Sequence, residues 1–101
     1  MTPLQIQNIA ADYFHISVAD LKSHRRSVAL TRQRWLTIDL TREYYPRMSL
    51  TELGLHFGGR DHNTITNAIV RLNEEIPLYH DLARHQTVLR QRLEQATIQP
   101  S

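Results

Sequence analysis

The chain of 101 residues contains no cysteine, which excludes disulfides and thiolate metal sites and leaves nothing that requires an oxidising compartment. Glycine is scarce: Gly54, Gly58 and Gly59 are the only three, and none precedes a lysine. The phosphate-cradling pattern G-x-x-x-x-G-K is therefore missing. No apolar run approaches the roughly 20 residues needed to cross a bilayer, and "MTPLQIQNIAADY" lacks the basic, apolar, small-residue order of a secretory signal. A soluble cytoplasmic protein with no membrane partner is expected. His80 and His85 stand five apart and there is no H-E-x-x-H pattern, so no metal and no cofactor are expected. Asp61 and His62 are neighbours whose side chains diverge on a helix, and no positioned nucleophile accompanies them, so no enzyme is expected. The length and the 41% hydrophobic content suit one modest core, hence a single domain over residues 1–101.

The charge is placed unevenly. Residues 1–60 carry eight Lys/Arg against five Asp/Glu, whereas residues 61–101 carry four against five. Lys22, His24, Arg25, Arg26, Arg32 and Arg34 fall between Asp20 and Asp39 with no acid among them. Such a cluster, read as a basic loop over about 22–34, either neutralises nucleic-acid phosphates with release of counterions or is merely a solvated basic surface.

Helical spacing of apolar residues recurs along the whole chain, without repeats or convincing strands, and makes the fold class all-α. Thr2 and Pro3 open a helix over about 3–14, and Ser17 with Asp20 opens a short one over about 18–23. After the basic stretch, Trp35, Leu36, Ile38, Leu40 and Tyr44 mark a third helix that Pro46 discourages from continuing. Ser49, with Glu52 at the capping-box position, begins a fourth whose Leu50, Leu53 and Phe57 share a face. Ile65, Ala68, Ile69, Leu72 and Ile76 form the buried stripe of a fifth over about 62–76, capped by Asp61. Leu78, Leu82, Ala83, Leu89 and Leu93 lie along a sixth over about 78–96.

Between the fourth and fifth helices stands "GGRDHNT". Paired glycines accept positive φ and allow a sharp turn directly after a helix. Two helices joined this way over about 49–76 have the layout of a helix-turn-helix, whose second helix enters the major groove, although tight helix pairs also occur in bundles that never meet DNA. The outward residues near that helix's start are His62, Asn63, Thr66 and Asn67, with Arg71 further along. Asn can bond bidentately to adenine, Thr can bond a base or face a thymine methyl, and Asp61 can accept from cytosine. Arg60 is placed to reach a phosphate or guanine. Positioning by a basic loop and reading by a helix is the division of labour of protein–DNA contacts.

"SVADLKSHRRSVALTRQRW", "LTREYY" and "SLTELGLHFGGRDHNTI" together resemble the C-terminal DNA-binding domain of DnaA, the bacterial chromosomal replication initiator, over about residues 4–96. The resemblance implies about six helices with a Trp-repressor-like helix-turn-helix that binds duplex DNA at DnaA boxes, consensus TTATNCACA, at the nucleoid. It implies that Asp61, His62 and Thr64 read bases with Arg60 close by, that Leu50 and Thr51 lie at the DNA, that Arg26 beside Arg25 enters the minor groove, and that Arg34 is a further contact. Three positions depart from the family pattern: Asn63 replaces the first threonine of Gly-Gly-Arg-Asp-His-Thr-Thr-Val, Thr51 replaces a proline that touches DNA, and Val70 stands where a basic residue is frequent. "YYPRM" is also about one residue longer than the usual link. An alternative is a small stand-alone regulator, or an interaction module that keeps the fold without box specificity and holds a protein partner through helix 78–96.

Overall fold

Five of the helices begin where a side-chain oxygen takes up an amide that the first turn leaves without a partner. In the computed structural model, which describes residues 1–98, Thr2 accepts from the Gln5 amide, Ser17 from Asp20, Ser27 from Leu30, Ser49 from Glu52 and Asp61 from Thr64. These caps open α1 (Pro3–Phe14), α2 (Val18–Lys22), α3 (Val28–Tyr44), α4 (Leu50–His56) and α5 (His62–Glu75); α6 (His80–Ile98) follows a turn. Thr2 with Gln5 and Ser17 with Asp20 form reciprocal capping boxes. The described residues contain no strand, and none of their helices is long and apolar enough to cross a membrane.

The largest departure from expectation is the start of α3. Ser27 satisfies the Leu30 amide at 3.1 Å, so the helix begins at Val28 and the basic loop over 22–34 shrinks to residues 23–27. Arg and Gln are good helix formers, and charge alone cannot distinguish a basic loop from the polar turns of a helix. At the other end of the chain, Pro77 and Leu78 lie in a turn before α6, and Leu78, expected on that helix's apolar face, is 70% exposed.

Three buried clusters share α3. Leu40 packs with Ile6, Ala10 and Ala11 of α1, Leu21 of α2 and Leu89 and Leu93 of α6. Ile38 packs with Leu53 and Phe57 at α4 and with Ile65, Ala68 and Ile69 of α5. Leu36 joins Leu72 and Leu82. Residues 36 and 40 lie on one side of a helix and 38 nearly opposite, so α3 is enclosed on two faces and lacks the single apolar stripe of a surface helix. Thr37 and Thr41 are buried as well, and their hydroxyls donate to the carbonyls of Gln33 and Thr37 at 2.8 and 2.7 Å; among the described residues no buried side-chain nitrogen or oxygen lacks a partner.

The turn between α4 and α5 wraps around one carbonyl. The amides of Phe57, Gly59 and Arg60 all donate to Gly54 O, at 3.1, 3.1 and 3.0 Å. A Cβ on Gly54 would fall 1.9 Å from Arg60 O, so the helix end and the turn touch through backbone alone. Gly58 and Gly59 take φ of +82° and +75°. Gln7, buried on α1, donates from Nε2 to His56 O at 2.6 Å and closes the end of α4.

The two turn glycines differ in surroundings. A Cβ at Gly58 would meet Lys22 O at 2.1 Å, whereas one at Gly59 has nothing within 4 Å. Gly59→Ala should cost only the left-handed backbone penalty, about 1–2 kcal/mol. Gly58→Ala should cost more, because the end of α2 must also move. Urea unfolding of the two variants measures the difference, and equal losses would contradict the close approach to Lys22.

Candidate nucleic-acid interface

On α5, Ile65, Ala68, Ile69 and Leu72 are buried. The side opposite them carries Asn63, Asn67 and Val70, spaced as one strip of a helix. His62, Thr64 and Thr66 flank its first turn, and all six of these residues are exposed. The side chains of His62, Asn63 and Asn67 make no hydrogen bond among the described residues, whereas the Thr66 hydroxyl donates to His62 O at 2.9 Å. Asp61 caps the helix through Thr64 N at 2.8 Å. That bond from the Thr64 amide, aided by the Thr64 side chain and the charge of His62, holds the Asp61 carboxyl below its ordinary value. It is a carboxylate at neutral pH, suited to accept from a base amine.

The loop 23–27 presents Arg25 and Arg26 to solvent. Arg25 has a side chain 76% exposed and stands 3.4 Å from Asp20 Oδ1, too loosely held to be withdrawn from other partners. Arg34 behaves differently from the expected DNA contact. It is 6% exposed and donates to the carbonyls of Leu21, Asp20 and Arg25 at 2.8, 3.1 and 3.3 Å. Burial, together with the neighbouring Arg60, lowers its pKa to about 10, so the group remains charged at neutral pH. The position expected to project outward is turned inward because α3, once begun at Val28, faces α2 there.

Arg60 is half-buried, and burial lowers its pKa too. Its guanidinium donates to the carbonyls of Phe57 and Ser23, and to Lys22 O at 3.3 Å. Arg32 is engaged elsewhere, bonded to Glu75 at 2.8 Å and lying over the Tyr79 ring at 4.3 Å. Of the arginines in the basic stretch, Arg25 and Arg26 are thus the two that face outward.

The loop and the recognition-type helix border a common cleft. His24, Arg25 and Arg26 line it from the loop, Thr64 and Ala68 from α5, and Arg34 and Arg60 also reach it. Thr31 and Trp35 of α3 line it as well; the sequence marks Trp35 only as an apolar residue of the third helix, and its place beside the cleft depends on how α3 packs against α5. Thr51 is exposed on the first turn of α4, while Leu50 is half-buried against the Ile38 cluster. On α6, the helix of the alternative protein-partner reading, Leu82 is 4% exposed, and Leu89 and Leu93 are fully buried in the core.

Comparison with known proteins agrees with this geometry. A family described as the bacterial dnaA protein helix-turn-helix matches residues 3–71. Over 71 residues the chain is 44% identical to the chromosomal replication initiator protein DnaA of Treponema denticola, a match that spans 70% of this chain and 15% of that protein.

The Asp61 cap has a pH signature. A carboxyl whose folded pKa is depressed contributes stability that is present above its unfolded value and lost as pH falls through the folded one. In acid titration by NMR, the Thr64 amide should therefore shift with a midpoint below the ordinary 3.8 of Asp61. Asp61→Asn should keep the cap and abolish that titration. A midpoint at or above 3.8 would show that the amide does not hold the carboxylate.

Proposed function

This chain belongs to the bacterial DnaA helix-turn-helix family and is a DNA-binding domain, and from that premise we propose that it binds duplex DNA at DnaA-box-like sites in replication initiation or its control. It acts by binding, without chemistry of its own. The observation that carries this reading is the cleft bordered on one side by His24, Arg25 and Arg26 and on the other by Thr64 at the start of α5. Adjacent major and minor grooves are separated by one sugar–phosphate strand. A protein that reads both must straddle that strand, and a basic cleft between a helix start and an arginine loop is the corresponding shape.

In this arrangement the first turn of α5 enters the major groove. His62, Asn63 and Thr64 meet base edges, and Asp61 accepts from a base amine while capping the helix. Asn67 and Val70 extend the same surface, with Val70 suited to a thymine methyl rather than a phosphate. Asn63 brings a carboxamide that fits adenine N6 and N7. Arg26, with Arg25, enters the adjacent minor groove, where the narrow width of A·T-rich steps concentrates negative potential. This assigns TTAT to the loop and CACA to α5. Thr51, at the exposed start of α4, lies at the margin of the same contact.

Fluorescence anisotropy on a duplex carrying TTATNCACA, against its scrambled version at two salt concentrations, tests the reading. A preference for the box that persists at the higher salt is expected. His62→Ala should cost about 1–3 kcal/mol on the box and little on the scrambled duplex. Arg26→Ala should reduce the salt slope by about 0.9 and weaken preference at the A·T-rich half. Equal affinity of the native chain for both duplexes, fading together with salt, would overturn box recognition.

A further inference from the structure

The basic loop has an interior as well as an exterior. Arg34 takes the carbonyls of Asp20, Leu21 and Arg25, and Arg60 takes those of Lys22, Ser23 and Phe57. The last carbonyls of a helix have no partner within it and carry partial negative charge. Two guanidiniums from distant parts of the chain therefore gather the end of α2 and the loop that follows. Neither makes an ion pair with a carboxylate among the described residues.

Arg60 joins two contact elements through one side chain. Its backbone lies directly before the Asp61 cap of α5, while its guanidinium bridges Phe57 at the end of α4 and Ser23 in the loop. A planar fork can serve carbonyls from separate segments at once, whereas the single nitrogen of lysine cannot hold the same geometry. The approach of Gly58 to Lys22 O brings the same two segments into backbone contact.

We propose that Arg60, supported by Arg34, is a positioning residue that locks the arginine loop to the first turn of α5 and so fixes the separation between the minor-groove and major-groove contacts. The role rests on the DnaA-box reading above. Arg60 then serves specificity at the A·T-rich half of the site without touching it. The spacing of the two half-contacts becomes a property of the folded domain, not something the loop adjusts on binding.

The test is a double-mutant cycle with Arg60→Lys and Arg26→Ala, measured on the intact box, a box with TTAT replaced by G·C pairs, and a box with CACA scrambled. The native chain should lose at least about a hundredfold on either altered half, since each of the four changed base pairs costs roughly fivefold to a hundredfold. Arg60→Lys should retain discrimination at CACA, lose it at TTAT, and add less than about twofold to the effect of Arg26→Ala, as expected for residues acting through one contact. Thermal melting checks that each variant is folded. Multiplying effects, retained TTAT discrimination, or loss at both halves in a folded variant would overturn the proposal. If Arg60→Lys does not fold, the native chain decides the matter on a box with one base pair inserted between its halves. A locked loop predicts at least about a tenfold loss, and unchanged affinity overturns it. A native chain indifferent to either half would instead refute the box reading itself.

Discussion

The contact between the Gly58–Arg60 turn and the end of α2 is where the arginine loop and the start of α5 meet directly. Gly58 presses its backbone toward Lys22 O, and Arg60 reaches past it to Ser23 O. That approach ties the arginine loop directly to the α4–α5 pair, in addition to the link both have through α3. The two glycines of the turn answer to different demands. Gly58 needs positive φ and has no room for a side chain, whereas Gly59 needs positive φ alone.

The arginines divide into two groups that net charge does not reveal. Arg34 and Arg60 spend their donors on carbonyls inside the protein, and Arg32 is held by Glu75 and Tyr79. Arg25 and Arg26 remain at the surface. The interior pair persists without carboxylate partners because several carbonyl dipoles converge on each guanidinium, and a charge buried with such hydrogen bonds avoids much of the desolvation cost. Replacing those carbonyls by water would leave the loop without the bonds that define its shape.

The recognition surface depends on a core organised around α3. Because that helix is enclosed on two faces, α1, α2 and α6 pack on one side while α4 and the first part of α5 pack on the other, with Leu72 of α5 reaching Leu36. The helix-turn-helix is thus backed by a rigid element and need not supply its own core. The same arrangement places Thr31 and Trp35 beside the cleft and buries Leu82, Leu89 and Leu93 of α6 in the interior.

Much was legible locally. Serine, threonine or aspartate before an apolar-periodic segment marked four of the helix starts, and Ile65, Ala68, Ile69 and Leu72 defined the outward face of α5 by spacing alone. The residues of that face, His62, Asn63 and Asn67, could therefore be named before any fold was known. The start of α3 at Ser27 was obscured by the charges that follow it, and Leu78 was misplaced because a turn after Pro77 interrupts the periodicity. By itself, the sequence determined four of the five side-chain-capped helix starts, the glycine turn and the polar strip, because these depend on neighbours within about four residues. Only the tertiary structure decided which arginines face solvent and which face carbonyls, since that choice depends on backbone groups as far as 9 to 38 positions away in the chain, as in the bonds from Arg34 to Arg25 and from Arg60 to Lys22.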